Sequence, residues 1–157
     1  MLFRSQNEHG TPVFVSFTER FNPIIQAVLP ELLGKTIRDM KFSRISHRSR
    51  NIISDGILQD IAVHDIDLAR FLSHGEIVEY FIHDQSGSAG QQFEIGLTMQ
   101  SHFSVKIHSA VDDSRKERRF TIQTDVVDYE GDLLAQTLVK KTGNSTAHIP
   151  VESVIDA

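Results

Sequence analysis

Cysteine is absent from the 157-residue sequence, which excludes a disulfide framework and any thiolate-held metal. No apolar run approaches the ~20 residues that cross a bilayer. The opening MLFRSQNEHG is too polar for a secretory leader. A soluble cytoplasmic protein without a membrane partner is the expectation. A basic excess is missing too. The formal net charge is −5, so the electrostatic footprint of a nucleic-acid binder is not there. No G-x-G-x-x-G turn follows a strand pattern, and no alternating strand–helix order occupies the start. Repeats and low-complexity tracts are also lacking.

What is present suffices for one domain, residues 1–157, with a core of its own. The most informative stretch is Gly56–Ser73, GILQDIAVHDIDLARFLS. On a helix turning about 100° per residue, Asp60, His64 and Asp67 fall within about 60° of one another. Ile57, Leu58, Ile61, Ala62, Leu68, Ala69 and Leu72 cover much of the remaining surface. A surface helix shows one apolar stripe and a broad polar face. Here the proportions are reversed, and ionisable groups in so narrow a strip are costly to bury unless they pair or serve a site. Three readings fit the strip: a histidine held structurally by a carboxylate, a D-x3-H-x2-D metal site, or acid–base catalysis with His64 moving a proton and Asp60 orienting its ring. Spacing does not choose among them.

The flanking chain reads in order. Pro12–Thr18 alternates as a strand. Asn22-Pro23 starts a helix with an N-cap and a proline at the first position; Pro30 is expected to kink or split it, and Gly34 to end it. Thr36–Ile45 reads as a strand. It leads into Ser43–Asn51, SRISHRSRN, whose Arg44, Arg48 and Arg50 suit either a solvated loop or a clamp for phosphate or carboxylate oxygens.

Beyond Gly75 the period changes from helical to two, giving strands near Glu76–His83, Gln92–Gln100, Phe103–Ile107, Phe120–Tyr129 and Asp132–Lys140. A charged hairpin connection is expected at Asp112–Arg119, and the tail from Thr142 shows little periodicity. Strands so closely spaced pair antiparallel. The architecture implied is α+β: a mostly antiparallel open sheet with helices packed on one face and the other face available for oligomerisation. About ten large apolar side chains on alternating positions exceed what one helical layer covers, so a homodimer or homotetramer through the sheet is expected.

GILQDIAVHDIDLARFL, preceded by FTERFNPII at residues 17–25, resembles the C-terminal catalytic domain of the glucose–fructose oxidoreductase/inositol dehydrogenase/MocA family (Gfo/Idh/MocA). The matching family pattern is a glycine-led segment, then D-x-x-x-H and an aspartate: Gly56, Asp60, His64 and Asp67. Arg20-Phe21-Asn22-Pro23 resembles the family's strand-to-helix junction, and Tyr129–Asp132 a turn near the end of its sheet. The resemblance implies an NAD(P)-dependent oxidoreductase acting on a sugar, cyclitol or nucleotide sugar. His64 and Asp60 would be catalytic, with Asp67, Arg44, Arg48 and Arg50 near the substrate. It also implies an N-terminal Rossmann half with a Glu-Lys-Pro motif, and neither is readable here. No cofactor is therefore expected on this chain alone. A non-catalytic oligomerisation module and a metal-dependent enzyme using Asp60, His64 and Asp67 stand as alternatives.

Overall fold

The computed structural model describes residues 16–47, 56–87 and 91–151. The strand expected at Pro12–Thr18 lies largely outside that range, and its last residue opens a 3-10 turn, Thr18–Phe21. Asn22 then caps α1 (Pro23–Glu31), its side chain accepting from the Ile24 N–H at 3.1 Å. Pro30 does not split α1 but sits in its last turn, and Gly34 beyond takes φ +73°, a left-handed conformation that costs glycine little. Strand β1 (Ile37–Ser46) runs on into the expected loop. The reason is continued alternation: Met40, Phe42 and Arg44 all turn to the helix side and are buried. A π-helical turn (Leu58–Ala62) then enters α2 (Val63–Ser73).

The remaining strands are β2 (Ile77–Asp84), β3 (Gln92–Met99), β4 (Ser104–Val111), β5 (Glu117–Thr124), β6 (Asp128–Asp132), β7 (Thr137–Thr142) and β8 (Ser145–Ile149). They form one eight-stranded sheet in the order β2-β3-β4-β1-β5-β6-β7-β8. Its pairing is antiparallel except between β1 and β4, which run parallel. The long excursion through α2, β2 and β3 makes that parallel neighbour possible. Asp112–Lys116 is consequently no hairpin. It carries the chain past the end of β1, where the Asp112 N–H donates to the Ser46 carbonyl. Tyr129–Asp132, expected as a turn, forms β6. The aperiodic tail contributes β8, an edge strand held by backbone pairing to β7, which a side-chain pattern does not reveal.

Helices cover one face. Ile95, Leu97, Val105 and Ile107 meet Ile24, Ile25, Leu68 and Leu72 there in a continuous core. Each fully buried large side chain contributes roughly 1.5–3 kcal/mol. The open face is polar. Lys106, Lys41, Thr121 and Glu130 lie side by side across four strands, and His108, Ser43, Arg119 and Asp132 form the next row. The apolar surplus expected on the uncovered face is therefore not found there, because the Phe93–Met99 and Phe103–Ile107 rows point to the helices. Among the strands, it is the edge strand β2 that leaves large apolar groups in water.

Candidate functional site

The 3-10 turn, the end of β1, the start of β5 and the π-helical entrance to α2 converge on a polar cavity of about 380 Å³. Asp60 lines it from the π turn and His64 from α2, Glu19 from the 3-10 turn, Ser46 and His47 from the end of β1 and just past it, and Lys116 and Arg118 from just before β5 and from its start. A π turn inserts an extra residue into a helix and recurs at functional sites. Here it occupies the part of the helix that carries Asp60, directly before His64.

Arginines on the core-facing parity of their strands build the floor. Arg44 and Arg118 stand directly opposite each other on β1 and β5. Two like charges so placed repel unless an anion lies between them. Glu19 is that anion: its Oε1 accepts from Arg44 Nη1 at 2.9 Å and from Arg118 Nη1 at 2.8 Å. Arg44 also grips Asp65, with Nε 3.0 and 3.1 Å from the two carboxylate oxygens and Nη2 at 2.8 Å. Burial pushes Glu19 up, but the Arg44 hydrogen bond and the nearby Arg44, Arg118 and His64 charges hold it below its ordinary range. For Asp65, burial is the larger effect and leaves the carboxyl above its ordinary range despite Arg44. Burial also opposes the Arg44 charge, yet the two carboxylates keep its pKa raised.

Two polar atoms at this cavity are buried without a protein partner among the described residues: His64 Nδ1 and Arg118 Nε. Each costs roughly 1–3 kcal/mol when left so. An imidazole and a guanidinium together suit a ligand rich in oxygen.

The sequence-derived residues divide. Asp60 and His64 share the cavity, but Asp60 does not satisfy Nδ1. Asp67 does not join them. It is 4% exposed and gripped by Arg20, whose Nε lies 2.7 Å and Nη2 2.5 Å from its two oxygens. Arg20 also stacks on Phe17 and Phe71, so this pair anchors the turn to α2. Arg44 belongs to the strand rather than to a loop, and its guanidinium is committed to Asp65 and Glu19. Arg48 and Arg50 lie outside the described residues. The metal reading of Asp60, His64 and Asp67 lacks geometric support: among the described residues no group of three or more such ligands assembles. Glu19, Lys116 and Arg118 are not marked by the sequence patterns above. One signal was available: Arg118 shares its parity with Phe120 and Ile122, a cation where the pattern calls for a core residue. A second hollow, about 320 Å³ on the open sheet face, is framed by solvated side chains such as Lys41, Lys106 and Arg119 and has no comparable buried charge network.

No protein-family profile matches the sequence. An uncharacterized oxidoreductase, YrbE of Bacillus subtilis (strain 168), is 29% identical over 84 residues, covering 47% of this chain and 24% of that protein. Among solved structures, the UDP-N-acetylglucosamine 3-dehydrogenase GnnA from Acidithiobacillus ferrooxidans superposes with a TM-score of 0.80 at 16% identity, covering 96% of this chain and 50% of its own. The aldose-aldose oxidoreductase from Caulobacter crescentus, complexed with glycerol, gives 0.78 at 16% identity, covering 98% and 52%. A levoglucosan dehydrogenase in complex with NADH and L-sorbose gives 0.73 at 13%, covering 96% and 49%. The chain thus spans about half the length of these structures. Its fold is the one that about half of each of these Gfo/Idh/MocA-type dehydrogenases adopts.

Proposed function

We propose that this chain is the substrate-binding and catalytic portion of an NAD(P)-dependent oxidoreductase acting on a sugar, cyclitol or nucleotide sugar. One observation carries the reading: Asp60 and His64 meet at a single polar cavity, within a fold otherwise found in sugar and nucleotide-sugar dehydrogenases. In this role His64 takes the proton from the hydroxyl being oxidised, a contribution of about 10²–10⁴-fold. Asp60 faces the same substrate volume and binds a hydroxyl or the charged imidazole. Arg118 and Lys116 supply hydrogen-bond donors, and the Arg44–Glu19–Asp65 network fixes the floor from below. Arg48 and Arg50 would extend the donor set. Asp67 acts at a remove, by holding Arg20. A nicotinamide, when bound, supplies the hydride acceptor. The described residues include no glycine-rich turn to hold it, and in this reading a second domain does so.

The chain alone should show no binding of NAD(H) or NADP(H) by isothermal titration, and micromolar affinity would contradict the division of labour. Placed behind a nicotinamide-binding half, it should reduce the dinucleotide with at least one member of a panel spanning aldoses, cyclitols and UDP-N-acetylhexosamines. A folded two-domain protein inert to the whole panel would refute the proposal.

A further inference from the structure

Among the described residues, strand β2 is the sheet's outer edge, paired only with β3. Four of its eight residues are large apolar groups exposed to solvent: Val78 at 55%, Tyr80 at 73%, Phe81 at 58% and Ile82 at 48%. An uncovered edge with apolar groups on both faces is a template for strand addition, and proteins ordinarily blunt such edges with charge, proline or a bulge. Here the one register irregularity lies at Ile77/Glu79, leaving Glu79–Asp84 regular.

We propose that β2 pairs antiparallel with β2 of a second copy across a two-fold axis at Phe81, joining two eight-stranded sheets edge to edge. The occupant follows from the strand itself. Gln85 N–H donates to the Gln92 carbonyl, so the odd-numbered residues of β2 spend their backbone groups on β3. Tyr80 and Ile82 therefore direct theirs to the free edge. With the axis at Phe81, Tyr80 and Ile82 of opposite copies exchange both backbone hydrogen bonds. Glu79 then stands opposite His83 of the other copy, twice by symmetry. Shifting the axis to Tyr80 sets Glu79 against Phe81, and shifting it to Ile82 sets Tyr80 against Asp84. Only the Phe81 axis of these three sets a carboxylate opposite an imidazole and matches an aromatic with a β-branched residue. The Phe81 ring is already seated inward over Gly96, where a Cβ on the glycine would lie 1.9 Å from its Cε1, so it does not obstruct the approach.

The proposal is independent of the catalytic reading, since none of these residues lines the His64 cavity. It is tested by light scattering coupled to size exclusion, with a thermal melt of each variant. The wild-type chain should dimerise. Ile82→Pro removes the outward N–H without taking a bond from the β3 ladder, and Tyr80→Lys places a charge on the edge. Each should give a folded monomer. His83→Glu alone should weaken the dimer roughly tenfold, because it sets two carboxylates opposite one another twice. The double variant Glu79→Lys/His83→Glu should restore it. The swap decides the register even if the proline variant does not fold. A monomeric wild type, with this edge covered inside one chain, would overturn the proposal. So would a dimer indifferent to Tyr80→Lys and the swap but lost on Lys106→Glu, which would assign assembly to the open face.

Discussion

Arg44→Leu is expected to destabilise the chain by about 3–5 kcal/mol, the range for removing one partner of a buried ion pair. Arg44 and Asp65 are each 3% exposed, and three hydrogen bonds join them. Truncating the arginine strands Asp65 in the core and releases Glu19 from one of its two cations. That exceeds the effect of an exposed pair such as Arg70–Glu76, which is worth about 0–1 kcal/mol. A domain stable by about 5–15 kcal/mol would lose a large fraction of its margin. Replacing both members, Arg44→Leu with Asp65→Leu, should recover most of the loss, because no uncompensated charge remains. Urea unfolding of the two single variants and the double variant measures this directly. A single-variant loss below about 1 kcal/mol would contradict a buried pair. The same curves carry a pH signature. Glu19 is held below its ordinary value of 4.5, so its contribution is present above that pH and is lost as pH falls through its depressed value. In Arg44→Leu that acid-dependent part should shrink.

Much of this architecture is legible because it depends on local pattern. Asn22-Pro23 signals a cap and a first helical residue, and the Phe93–Met99 row signals a half-buried strand; both are found in the fold. Sheet order is another matter. Nothing in the alternation of β4 says that its neighbour is β1 rather than β5, because strand adjacency is fixed by contacts distant in sequence. The direction of the apolar rows is equally hidden. A period of two establishes that one face is apolar, but not that α1 and α2 are broad enough to cover it.

The site is half legible for a related reason. Helical spacing places Asp60, His64 and Asp67 together as if the helix were regular. The π turn and the reach of Arg20 decide otherwise, leaving Asp60 and His64 on the cavity and taking Asp67 away from it. Arg44 stands out in the sequence as a cation near the site. Its parity with Met40 and Phe42 shows that it points inward, and a buried arginine implies a buried acid, here Asp65. Glu19 lies unmarked between Thr18 and Arg20, since no short-range rule flags an acid whose partners stand 25 and 99 residues further along the chain.

Under the proposed reaction, the largest functional effect is expected at His64. A group that accepts a proton only as the hydroxyl is oxidised acts in the transition state. Its loss therefore appears in kcat rather than KM, whereas an interaction made equally in both states appears in KM. His64→Ala is expected to lower kcat by about 10²–10⁴-fold, with KM little changed. Asp60→Asn should cost less, because Asp60 shares the cavity without holding Nδ1. Neither change removes a hydrogen bond of the Arg44–Asp65 pair or a side chain of the core, so thermal melts should stay close to wild type. The deciding measurement is steady-state kinetics of His64→Ala in a two-domain protein that joins this chain to a nicotinamide-binding half. A collapse of kcat at constant KM and unchanged melting temperature is the predicted result. Wild-type kcat in a folded His64→Ala protein would contradict the account and leave the histidine a structural role.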